Sequence, residues 1–78
     1  MIEPIYLIVG RRIAARRERR GLTQEMLASS MTPRLTRASI SNIENGLQRV
    51  MLAQLVDIAD ALGTTPGSLL GGSKTRTR

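Results

Sequence analysis

The chain has 78 residues, enough for one compact domain, and a body of this size buries only roughly 60–65% of the surface that its unfolded form exposes; modest stability, with help from a second copy, is the expectation. Cysteine and histidine are both absent, which removes disulfides, thiolate nucleophiles, imidazole bases and the common zinc sites together, so neither a metal nor a cofactor is expected. Twelve basic against six acidic side chains leave a net charge of +6, and on so small a body that surplus attracts polyanions.

The charge is unevenly spread, since up to residue 49 nine arginines face four glutamates, which is five of the six net charges. Tyr6 is the single aromatic residue, so the stacking platforms that usually hold single-stranded nucleic acid are missing. Duplex DNA is the expected partner. The longest apolar run, residues 5–9, falls far short of the ~20 residues a bilayer requires, so no membrane partner is expected and the chain reads as soluble and cytoplasmic.

In chain order, Pro4 suits a first helical position, and Ile5, Val9 and Ile13 repeat every four residues, predicting a helix over 4–20 stopped by Gly21. The arginines at 11, 12, 16, 19 and 20 lie off that stripe, either as a solvated face or as phosphate contacts. Thr23 is a favoured N-cap for a short helix over 24–31, with Met26 or Leu27 and Ser30 or Met31 at helical spacing. Pro33 interrupts, and 32–35 reads as a turn. Thr36 caps a third helix with apolar positions Ile40, Ile43 and Leu47, stopped at Asn45-Gly46. Leu52, Leu55, Val56, Ile58, Ala59 and Leu62 give a fourth amphipathic helix over 51–62 ended by Gly63, and Thr65-Pro66 opens one last turn through Leu70. The four methionines are expected to fill gaps in the core. Residues 71–78, glycines followed by Lys74, Arg76 and Arg78, read as a basic disordered tail.

The fold expected is therefore all-α, a compact five-helix domain over 1–70. Two short helices joined by a tight turn, the second with a polar outer face, are the ingredients of a helix-turn-helix. With Ile40 and Ile43 inward, the 100° step turns Arg37, Ala38, Ser41, Asn42 and Asn45 outward. Arg37 can donate two parallel bonds to guanine O6 and N7, Asn42 can pair with adenine N6 and N7, and Ala38 can sit against a thymine methyl. Ser41 suits a base or a phosphate. The plainer alternative is that Arg37 only neutralises phosphate.

The runs GLTQEMLA (21–28), ISNIENG (40–46) and LVDIADALG (55–63) occur in an order and spacing that resemble the phage-repressor and Cro type of helix-turn-helix, the XRE family, over about residues 8–70. The resemblance implies a repressor-like domain that reads the major groove with residues 36–45. It implies phosphate contacts at Gln24, Asn45, Gln48 and Arg49, with the cap threonines Thr23 and Thr36 placed beside them. It also implies a structural ion pair between Arg17 and Glu44. A homodimer on a palindromic operator is expected, formed through 47–51 and 62–65. Two features depart from the pattern. The interval from Leu27 to Ile40 is about two residues longer than usual, which widens the turn. The N-terminal stretch Ile2, Ile5, Tyr6, Leu7, Ile8 carries more apolar surface than one stripe needs, either to wrap the core or to serve self-association.

An enzyme is disfavoured because the serines have no histidine base, the carboxylates form no metal-ligand grouping, and Gly71-Gly72 is too brief to cradle phosphate. The other reading is an antitoxin or restriction-modification controller, whose main partner is a toxin or other protein or its own operon.

Overall fold

The computed structural model describes residues 3–71, which form five helices in the order α1 (Pro4–Arg19), α2 (Gln24–Ser30), α3 (Arg37–Glu44), α4 (Leu52–Ala61) and α5 (Pro66–Leu70), with no strand among them. Local chemistry marks the start of each, α4 through the Met51 N–H, which donates to the Gln54 Oε1 at 3.0 Å. Pro4 occupies the first turn of α1, where its missing N–H costs nothing. Thr23, Thr36 and Thr65 each precede a helix, and their hydroxyl oxygens accept from the backbone N–H groups of Met26 (3.0 Å), Ser39 (3.0 Å) and Ser68 (3.1 Å). Each cap satisfies a donor that the helix itself cannot, typically worth about 1 kcal/mol.

The largest buried side chains, Val9, Ile13, Leu27, Ile40, Ile43, Ile58 and Leu69, come from every helix and meet in one core. Helix α3 lies between α1 and α2 and is clasped closely by α1. At Gly10 the two backbones nearly touch, because a Cβ there would overlap the Ile43 carbonyl oxygen and lie 2.8 Å from that of Glu44. No larger residue fits this crossing, which is why a glycine stands mid-helix despite its conformational cost.

The turn between α2 and α3 is tied at both ends. The Leu35 N–H donates to the Ala28 carbonyl at 3.1 Å, and the Thr32 N–H donates to the Asp57 carboxylate on α4 at 2.7 Å. Leu35 also packs half-buried against the core. The connection is thus a fixed part of the domain that carries α3.

Several expectations are corrected. Leu47 is not an apolar position of α3: the helix ends at Glu44, and Leu47 is 68% exposed. Ile5 lies outside the core, which begins one turn later at Val9. Of α4, Leu52 and Val56 face outward while Leu55, Ile58 and Ala59 face in. Met31 fills the core, but Met26 and Met51 do not. Among the described residues no helix is long and apolar enough to cross a membrane. The tail expected from residue 71 onward lies, apart from Gly71, outside the described residues.

Candidate nucleic-acid interface

Ile40 and Ile43 are fully buried, and that fixes the rotation of α3 about its axis. Arg37, Ala38, Asn42 and Asn45 are consequently exposed, and Ser41 is half-buried at the edge of the same face. The exposed face offers a guanidinium, a carboxamide and a small methyl side chain within two turns, which matches the groups that base edges present in a major groove. Asn45 is partly committed, since its Nδ2 donates to the Ser41 carbonyl at 2.9 Å and closes the end of the helix.

The start of α2 is fastened to the end of α3 by a buried polar cluster. The Arg17 Nε donates to the Glu44 Oε2 at 2.6 Å, and its Nη2 donates to Oε1 at 3.2 Å, a two-point contact between residues 9% and 4% exposed. The remaining Arg17 Nη1 donates to the Leu22 carbonyl at 2.7 Å. The hydrogen bond to Glu44 holds the guanidinium of Arg17 further above its already high pKa, against the opposing effect of burial. Gln24 completes the cluster through its Nε2, which donates to the Glu44 Oε1 at 3.0 Å. One amide donor of Gln24 is thus spent inside the protein, and its second N–H and its carbonyl remain for a ligand. No buried side-chain polar atom among the described residues lacks a partner.

Thr23 and Thr36 use their oxygens as caps, which leaves each hydroxyl proton able to donate outward. Gln48 is half-buried and Arg49 exposed, both in the loop that follows α3. The Nε and Nη2 of Arg49 meet the two carboxylate oxygens of Glu3 at 3.3 and 3.4 Å, and its guanidinium carbon lies 6.0 Å from the Tyr6 ring centre. This pairing raises the pKa of Arg49. The Glu3 carboxyl is lowered, first by a hydrogen bond to its own backbone and then by Arg49.

The arginines of α1 divide by task. Arg12 donates to the Leu69 carbonyl at 3.3 Å and Arg16 to the Ser68 hydroxyl at 2.7 Å, so these two fasten α5 to α1. Sequence reasoning found neither these contacts nor those of Glu3 and of Asp57. They join residues 25 to 57 positions apart, and no local pattern announces such a partnership.

A helix-turn-helix family model matches residues 13–69. Among solved structures, the restriction-modification controller protein C.AhdI from Aeromonas hydrophila is 31% identical with a TM-score of 0.76, over 82% of this chain and 94% of that one. The P22 c2 repressor, solved with a synthetic operator, is 27% identical with a TM-score of 0.76, over 85% and 97% of the two chains. Hydroxypropylphosphonic acid epoxidase from S. wedmorenis is 31% identical with a TM-score of 0.74 over 82% of this chain, but only 33% of the enzyme takes part. No curated protein matches. The match of the family model across the core and both helices of the candidate interface, joined to an all-helical fold shared with repressors, shows that the chain belongs to the XRE-type helix-turn-helix family of DNA-binding regulators.

Proposed function

We propose that the chain is a sequence-specific regulator of transcription, a repressor, that binds a palindromic operator in duplex DNA as a homodimer and reads the major groove with residues 36–45. The observation that carries this is the outward polar face of α3, on which Arg37, Ala38 and Asn42 stand exposed over a fully buried Ile40 and Ile43. In this reading Arg37, Ala38, Ser41 and Asn42 meet bases. Thr23, Gln24, Thr36, Asn45, Gln48 and Arg49 meet phosphates and set the register, and Arg17 with Glu44 holds the two helices at a fixed relation.

One recognition helix spans only about four or five base pairs, too few for a useful specificity ratio, and two copies about 34 Å apart double the site. An apolar surface supports the pairing. Leu47, Met51 and Leu52 are each more than 60% exposed, and Ile5, Val56 and Leu70 add to it. Leu62 is in the core, so the seam draws on residues 47–52 rather than on Leu62. No catalytic role is proposed; the enzyme likeness is confined to a third of that enzyme's length.

The deciding experiment is selection of bound duplexes from a random library, followed by anisotropy titration over a range of salt. A symmetric half-site and an affinity falling steeply with salt are expected. Arg37→Ala should lose about 1–3 kcal/mol on the selected site and relax the preference at one base pair; an unchanged preference refutes the assigned face. The likeness to C.AhdI supports a second, narrower reading, a controller acting on its own operon. A selected site that recurs just upstream of the chain's own coding sequence would favour it.

A further inference from the structure

The first two turns of α1, from Pro4 to Arg12, precede the family match, which begins at residue 13. They fold back on the loop that follows α3. Leu7 packs against Gly46, where φ is +72° and an added Cβ would come within 2.9 Å of the Leu7 backbone. Glu3, the N-cap of α1, and Tyr6, one turn on, together grip the guanidinium of Arg49. The Glu3 side chain makes no cap hydrogen bond to the first turn of its helix, and each of its oxygens meets an Arg49 donor.

The contact is side-on. Arg49 presents Nε and Nη2 to two separate oxygens of one anion, which is the same fork that an arginine offers to a phosphate diester. A carboxylate in that position occupies the fork that a DNA phosphate would take side-on. From this geometry, and resting on the assignment of Arg49 to the DNA backbone, we infer that Glu3 is an affinity-setting residue, an intramolecular counter-ion that competes with phosphate for Arg49. A phosphate that takes the Nε–Nη2 fork must displace Glu3, and one that approaches Nη1 meets a guanidinium already paired with a carboxylate, so part of the attraction is offset before contact is made. Tyr6 keeps the guanidinium in place during the exchange, and the loop stays seated because Leu7 rests on Gly46. The net effect is to restrain non-specific binding, in which charge alone is at work. The pair is exposed, so its influence is modest and screened by salt.

The test is a double-mutant cycle in DNA affinity, measured by anisotropy on the full chain with a selected duplex at low and high salt. Glu3→Gln should tighten binding about two- to fivefold at low salt, the range an exposed ion pair supports, and the gain should fade at high salt. In an Arg49→Gln background the same change should do nothing. Thermal melts of all variants establish that each is folded. A gain of equal size in the Arg49→Gln background reduces Glu3 to a general negative charge and overturns the competition. Weaker binding by Glu3→Gln overturns it in the other direction, by making Glu3 a positioning residue that keeps Arg49 in the complex. An unchanged affinity overturns it as well. If the unaltered chain binds no duplex at all, the DNA-binding reading fails and takes the competition with it, an outcome plainly distinct from the others.

Discussion

Replacing Glu44 with glutamine keeps the volume of the side chain but removes the charge opposite Arg17. Arg17 is 9% exposed and its guanidinium has lost its two-point acceptor, and Gln24 has lost a charged acceptor as well. Leaving one member of a buried pair without its partner typically costs about 3–5 kcal/mol. Two features soften this. The Leu22 carbonyl still accepts from Arg17, and the Glu18 carboxylate lies 3.6 Å from its Nη2 at the surface. A loss of about 2–4 kcal/mol follows. Against the total of about 4–12 kcal/mol expected for a domain of this length, that is a large share, and it lowers the melting temperature by roughly 10–25 °C. Thermal and urea denaturation followed by circular dichroism measure it directly. The companion variant Arg17→Met with Glu44→Leu removes both charges and should be more stable than Glu44→Gln, because no buried charge is then left unpaired, although the Leu22 carbonyl and Gln24 each lose a partner. A loss below about 1 kcal/mol in the single variant, or a double variant no better than the single one, refutes the reasoning.

Two further outcomes test other parts of the structure. Gly10→Ala gains up to about 1 kcal/mol in helix propensity yet places a Cβ against two backbone carbonyls; a net loss of about 1–3 kcal/mol is expected in urea denaturation, and a neutral or stabilised variant would contradict the close crossing. Leu52→Glu puts a charge on a side chain 78% exposed, so the fold should survive. If the apolar face joins two copies, sedimentation equilibrium should show the dimer weakened at least about tenfold by a buried unpaired charge, and an unchanged mass distribution removes this face from the seam.

How much of this was legible in the sequence varies from element to element. The starts of α2, α3 and α5 could be read because each has a threonine whose cap is a local event, decided within three residues. The inward turn of Ile40 and Ile43 could be read because two β-branched residues three apart on a short helix leave few alternatives. Periodicity failed where apolar residues keep a helix's spacing beyond its end or beyond the reach of the core. Leu47 keeps the spacing of Ile40 and Ile43, but Gly46 takes a left-handed turn before it, and the chain leaves the core. Ile5 and Val56 keep their helical registers and still face outward, since how far a core extends is decided by the partner helices. Arg17 is a harder case. Nothing in its neighbourhood explains an arginine on the buried face of α1, and only the resemblance to a family suggested Glu44, which lies 27 residues away. Glu3 and Arg49 had no such guide and needed coordinates.

The contact at Gly10 carries a consequence for how such a chain can change its target. Because main chain rests on main chain there, the orientation of α3 is set by a hard stop that no rotamer adjustment can shift. Arg37, Ala38 and Asn42 are exposed and take no part in that contact. In the proposed reading they can be exchanged as a set, giving a new operator preference on an unaltered mount, whereas variation at the crossing itself would spoil every site at once.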